Sequence, residues 1–264
     1  MDGSEEFRFD GVQLAAEDPE EMARAYAVLI GLRPVRLHSG ALRFQLERGA
    51  LEIEPGPPGV RSIRFTVASA VEGFPMDRET VADLHGVTVR GTPVIAGPGM
   101  AGAGRAGAGL AVASREGDAV GPPGPRDTTV APPGLHAIDH VVVRCADAAR
   151  AIALWRDRLG LRLALDREFP QRGLRMLFFR SGGVTLEFVS AIGEGDAQAG
   201  DALDGIAYRT RDAEGCRARL AAAGFDVSEV RPGNKAGTRV ATVRSGTGGV
   251  PTLIIEHPER GDPA

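Results

Sequence analysis

Short apolar runs with strand character alternate along the chain with stretches whose apolar residues return every three or four positions. The first strand is expected near 8–15. Asp18-Pro19 then starts a helix, because Asp can cap and Pro suits the first turn. Met22, Tyr26, Leu29 and Ile30 share one face of that helix, and Gly31 ends it. Strands are expected near 35–38, 41–47 and 50–54, the last two joined by a tight hairpin at Arg48-Gly49. Pro55-Gly56-Pro57-Pro58-Gly59 reads as a linker. A strand at 61–67 opens a second half-domain, continued by a weak helical stretch near 78–84 and a strand at 87–90.

The later half of the chain repeats this order more clearly. A strand at 137–145 leads into a helix at about 147–159, with Ile152, Trp155 and Leu159 facing the core. Strands follow near 162–168, 174–180 and 184–190, the last two turned by Ser181-Gly182-Gly183. After a Gly- and Asp-rich linker at 193–205, a strand at 205–210 precedes a helix at 212–223 ended by Gly224. Strands near 226–231, 238–244 and 251–256 complete the unit.

The two halves also match residue for residue. Phe9-Asp10-Gly11-Val12-Gln13-Leu14 aligns with Ile138-Asp139-His140-Val141-Val142-Val143, an offset of 129 residues. The same offset brings Gly31-Leu32-Arg33 onto Gly160-Leu161-Arg162 and Tyr26 onto Trp155. So long a period means duplicated domains rather than a solenoid. The chain reads as βαβββ four times: an N-terminal domain at 7–113, a Pro- and Gly-rich linker at 114–136, and a C-terminal domain at 137–258. The fold class is α+β. Where the second copy has His140, the first has Gly11.

Composition narrows the function classes. With 43% hydrophobic and 25% charged residues and a net charge of −4, the chain has no bulk bias toward nucleic acid or anionic membranes. No apolar run is long enough for a membrane span, and Met1-Asp2-Gly3-Ser4-Glu5-Glu6 lacks the basic start of a signal peptide. Cys145 and Cys216 are too few for a disulfide framework and are read as reduced core residues of a cytoplasmic protein. Gly102-Ala103-Gly104-Arg105-Ala106-Gly107 satisfies the dinucleotide fingerprint literally but lacks the βαβ context that gives it meaning.

Paired βαβββ units, the Asp139-His140-Val141-Val142-Val143 opening strand and Thr185-Leu186-Glu187-Phe188-Val189 together resemble the vicinal oxygen chelate superfamily. That family includes glyoxalase I, extradiol dioxygenases, fosfomycin-resistance enzymes and bleomycin-binding proteins. The resemblance implies two domains, each a cupped mixed sheet, with up to four metal ligands on the first and last strands of each unit. Carried over, the ligands fall on His140 and Glu187, types suited to Fe, Mn, Co, Ni or Zn. The third position falls on Gly205 and the fourth on Leu253, neither of which can ligate. Glu256 is the nearby carboxylate and the candidate third metal ligand, although an odd offset from Leu253 points it to the other face unless a bulge intervenes; His257 has the right parity and is a secondary candidate. In the first domain the equivalents are Gly11, Glu52 and Ser62, with Ala113 or a neighbour on the last strand.

The resemblance implies a small-molecule enzyme of lyase, isomerase or dioxygenase type, with Glu187 and His140 in catalytic roles. Its alternative is a metal-free protein that binds an organic ligand in the same cup, where Glu187 and His140 would pair and serve proton transfer. Arg231, Lys235 and Arg239, in a turn-rich basic loop, are candidates for an anionic group at the mouth of the cup. The expected partner is a small molecule, with the chain either a monomer of paired domains or a homodimer.

Overall fold

The computed structural model describes residues 7–68, 80–93, 133–193, 195–196 and 198–258. The first sheet is built from β1 (Phe7–Ala16), β2 (Val35–Arg36), β3 (Leu42–Gln45), β4 (Ala50–Pro55), β5 (Gly59–Val67), β6 (Thr80–Leu84) and β7 (Val87–Pro93). The second holds β8 (Leu135–Arg144), β9 (Arg162–Phe169), β10 (Leu174–Ser181), β11 (Val184–Ala191), β12 (Ala202–Thr210), β13 (Arg231–Pro232), β14 (Arg239–Val243) and β15 (Thr252–Glu256). Their orders are β2-β3-β4-β1-β5-β7-β6 and β13-β14-β15-β12-β8-β11-β10-β9. In both, two first strands lie antiparallel at the centre, β1 with β5 and β8 with β12. Each first strand also takes its unit's last strand as a parallel neighbour, as β4 beside β1 and β11 beside β8.

Among the described residues three α-helices lie against these sheets, and each starts at an aspartate. Asp18 accepts from the backbone of Glu21 at the start of α1 (Pro19–Ile30). Asp147 accepts from Ala149 and Arg150 at α2 (Ala148–Ala151), which continues as a π-helical stretch over Ile152–Arg158. Asp212 accepts from Gly215 at α3 (Ala213–Ala222). These bonds satisfy amide groups that the first helical turn leaves open.

Two expected elements differ from those observed. The stretch near 78–84 is not helical: from Thr80 it forms β6, hydrogen-bonded along its length to β7. Sheet pairing overrides a weak helical pattern that had few apolar positions to bury. The strand expected at 226–231 reduces to a bridge between Val227 and Val243 and the two residues of β13. Leu135 and His136 belong to β8 although they fall in the segment read as linker. The dinucleotide-like glycines and Ala113 lie outside the described residues.

The domains join by a reciprocal exchange. β4 pairs with β1 only from Gly11 onward, and β11 pairs with β8 only from His140 onward. The early part of each first strand is met by a hairpin from the other domain. The amide of Glu47 donates to the carbonyl of His136, and the amide of Ile138 to that of Arg48. In return, the Ser181 hydroxyl accepts from the amide of Phe9 and donates to the carbonyl of Phe7. The apolar core is continuous across the junction: Trp155 packs on Phe188 of its own domain and Phe65 of the other.

Candidate active site

His140 and Glu187 enter the site from neighbouring strands. Glu187 stands opposite Val142, two residues beyond His140, so both side chains project from the same face of the C-terminal sheet. Their nearest atoms, His140 Nε2 and Glu187 Oε2, are 3.8 Å apart, beyond a direct hydrogen bond. The strand is not regular here. His140 pairs with Ala207 and Ile138 with Tyr208, which leaves Asp139 as the extra residue of a β-bulge. The bulge turns the Asp139 carboxylate toward His140 instead of away from it.

Asp139 is the hub of the site. One oxygen accepts from His140 Nδ1 at 2.8 Å. The other accepts from His257 Nε2 at 2.8 Å and from Arg209 Nε at 2.5 Å. Burial acts to raise its pKa, but the hydrogen bond from His140 and the positive charges of His140, Arg209 and His257 prevail and hold it well below the ordinary carboxylate range. An ionised Asp139 only accepts, so the proton in each contact sits on the imidazole nitrogen and His140 presents Nε2 to Glu187. Glu187 has the opposite environment. Burial pushes its carboxyl above the ordinary range, with Asp139 adding to the shift and His140 opposing it.

The neighbouring cup-facing residues of β10 are mixed, Phe178 opposite Glu187 and Arg180 opposite Thr185. Phe179 points to the helix side and packs on Phe188. Tyr208 is fully buried on the core side of β12. Among residues singled out in the sequence, His257 joins the site but Glu256 does not. The Glu256 carboxylate accepts from the amide of Ala213 at the start of α3 and lies 3.6 Å from Arg239, on the opposite face of β15 from Leu253 and His257. Arg239 also binds Glu214, and Arg231 and Lys235 are exposed. An open cleft of about 570 Å³ lies among Arg231, Pro232, Thr238 and Arg239, on the side of α3 and apart from the His140–Glu187 pair. Asp139 and Arg209 were not singled out by sequence reasoning. Asp139 precedes the histidine directly, and normal strand alternation would have placed it on the far face.

The donor set does not fit a resident divalent ion. A Cβ at Gly205 would lie 2.7 Å from the carbonyl oxygen of Pro251, so the backbone closes that ligand position to any side chain. Leu253 is apolar, and Asp139 and His257 are engaged with each other. Among the described residues no group of three or more His, Cys, Asp or Glu side chains is placed to hold a metal. His140 and Glu187 alone remain of the implied ligands.

In the N-terminal sheet, Glu52 pairs with Gln13, the counterpart of the Glu187–Val142 pair, and Ser62 pairs with Gln13 as Gly205 does with Val142. The bulge recurs at Asp10. Gly11 stands where the C-terminal domain has His140, and a Cβ there would lie 2.3 Å from the carbonyl oxygen of Ala50. Glu52 is buried and clamped by Arg43 at 2.6 Å and Arg64 at 2.7 Å. This cup is filled by ion pairs.

Residues 139–242 match the Glyoxalase/Bleomycin resistance protein/Dioxygenase superfamily. No curated protein matches the chain in sequence. Among solved structures, BphC, a halotolerant catechol dioxygenase, aligns over 97% of this chain and 90% of its own, at 13% identity and a TM-score of 0.63. That likeness carries the two-domain fold. Methylmalonyl-CoA epimerase from Mycobacterium tuberculosis aligns over 48% of this chain and 91% of its own, at 22% identity and a TM-score of 0.40. A hypothetical protein from Bacillus halodurans C-125 aligns over 48% and 97%, at 19% identity and a TM-score of 0.40. The match to the Glyoxalase/Bleomycin resistance protein/Dioxygenase superfamily thus lies within the C-terminal domain, and the chain as a whole is α+β with the two-domain fold of the catechol dioxygenase.

Proposed function

We propose that the C-terminal cup is the centre of a small-molecule enzyme of lyase or isomerase type that works by proton transfer between His140 and Glu187. The observation that carries this reading is a half-buried carboxyl, without an arginine or lysine partner among the described residues, facing the Nε2 of an imidazole whose Nδ1 is fixed by a buried carboxylate. With Nδ1–H bound to Asp139, His140 offers the Nε2 lone pair as a base toward a substrate C–H or O–H. Glu187, with its raised pKa, retains its proton to higher pH than an ordinary carboxyl and is the complementary acid. Proton abstraction next to a carbonyl would move the C–H electron pair toward the carbonyl oxygen, and Glu187 would protonate that oxygen.

The test is solvent exchange. Wild-type protein in deuterated buffer, incubated with a panel of 2-oxo and 3-oxo acids, is expected to wash out an α-proton signal. Glu187→Gln and His140→Gln are expected to lose at least about a hundredfold in that rate. Elemental analysis after exposure to Fe(II), Mn, Co, Ni and Zn is run beside them. About one ion per chain, lost in both variants, would overturn this reading in favour of a metal enzyme. Ligand capture without any exchange would favour the binding protein.

A further inference from the structure

Beside the cup, where β8, β12 and β15 meet at the domain junction, lies a cavity of about 240 Å³ lined by His136, Arg209, Thr210, Arg211 and His257. Four of the five lining side chains are cationic or can become so. His136 reaches the cavity through a second bulge, because Arg209 pairs with Ala137 and Thr210 with Leu135. Its Nδ1 is buried and has no hydrogen-bond partner. Arg209 binds Asp139 through Nε, and Arg211 binds Glu47 of the neighbouring hairpin through one terminal nitrogen at 2.6 Å. Among the described residues, no partner meets the terminal nitrogens of Arg209 or the remaining nitrogens of Arg211. Donors left open in a recess of this charge call for an acceptor.

We infer that this cavity is an oxyanion subsite, taking a carboxylate or phosphate group through the open nitrogens of Arg209 and Arg211 and the His136 imidazole. Guanidinium nitrogens present paired donors matched to such groups. The charge balance agrees with the geometry. Burial and the charges of Arg211, Arg209 and Arg48 hold His136 below its ordinary pKa, and Glu47 is the carboxylate that opposes them. An anion here would supply the missing negative charge. It would also be tied to the cup, since Arg209 and His257 bind the same Asp139 that fixes His140. A molecule held by an anionic end in this cavity would extend its other end toward His140 and Glu187. Assigning the anion to the substrate rests on the proton-transfer reading; anion binding itself does not.

The experiment follows the histidine side-chain resonances of the full chain by NMR during titration with inorganic phosphate and, separately, acetate, at ionic strength held constant with chloride. Saturable shifts at His136 are expected, with the dissociation constant raised about tenfold or more in Arg211→Gln and in Arg209→Gln. Glu187→Gln is expected to bind the anion as wild type does while losing turnover, which separates failure of the subsite from failure of the catalytic reading. Saturation by phosphate alone assigns a phosphate ester, and by acetate alone a carboxylate. No saturation beyond the chloride control, or affinity unchanged in Arg211→Gln, overturns the subsite. Arg211 pairs at the surface, so that variant stays informative even where loss of Arg209 perturbs Asp139.

Discussion

The two cups share one backbone plan and differ in what faces the same glutamate. In the N-terminal cup the residue across from Glu52 on β3 is Arg43; across from Glu187 on β10 it is Phe178. On the far central strand, Arg64 pairs with Gly11, and Ala207 pairs with His140. Two arginines therefore neutralise Glu52, and at both positions the C-terminal cup has an uncharged residue. Without those arginines, burial pushes the Glu187 carboxyl above its ordinary range, opposed only by His140. The small Ala207 also leaves room beside His140. The difference between a filled cup and a reactive one is thus three positions wide: Gly11 against His140, Arg43 against Phe178, Arg64 against Ala207.

Transplanting the clamp should have the largest effect. Phe178→Arg combined with Ala207→Arg is expected to hold Glu187 ionised and lower exchange by about a hundredfold or more, with far-ultraviolet circular dichroism unchanged. Retained activity would break the correspondence between the cups. Next comes stability. Glu52→Gln removes the close carboxylate of two partly buried guanidinium groups, leaving them Asp10 at 3.8 and 3.6 Å, and is expected to cost about 2 kcal/mol in urea unfolding at pH 7. Glu187→Gln removes a half-buried carboxyl that has no arginine partner among the described residues and is expected to cost little or to stabilise. Equal losses would show that the two carboxyls are held alike.

A smaller effect is the pH dependence of that second substitution. The native chain holds the Glu187 proton more tightly than the unfolded chain, whose glutamates titrate near ~4.3. Its stabilising contribution is therefore fully present below that pH and lost as pH rises through the raised native value. Denaturation midpoints of wild type and Glu187→Gln should diverge in the variant's favour toward alkaline pH. Asp139 has the opposite sign: its contribution is present above the unfolded value near ~3.9 and lost as pH falls through the depressed native one. The smallest effect belongs to His136, whose lowered pKa removes stability as pH falls below ~6.5; His136→Asn should flatten that limb.

Much of this plan was legible before any coordinates. The constant offset tied Gly11 to His140, and the Asp18 cap with Gly31 and Gly224 placed the helix ends. Strand parity counted against Glu256, yet that residue stood as the candidate ligand ahead of His257, the one that meets Asp139. Parity failed at the bulges. One additional residue turns Asp139 into the cup and another turns His136 into the neighbouring cavity, and no composition cue marks either. Arg209 was missed for the same reason, since its significance depends on where Asp139 points. The crossed hairpins were equally invisible, because their contacts are main-chain bonds that any sequence can make.

That exchange of hairpins gives a reason for a domain whose cup is filled by ion pairs to persist beside one whose cup is not. Each domain covers bare main-chain groups at the edge of the other's central strand, so neither is a finished surface alone. The pair behaves as a dimer made permanent within one polypeptide. Once the subunits of such a dimer are fused, only one must keep the reaction. The other is free to change inside its cup, provided that its hairpin still fits its neighbour.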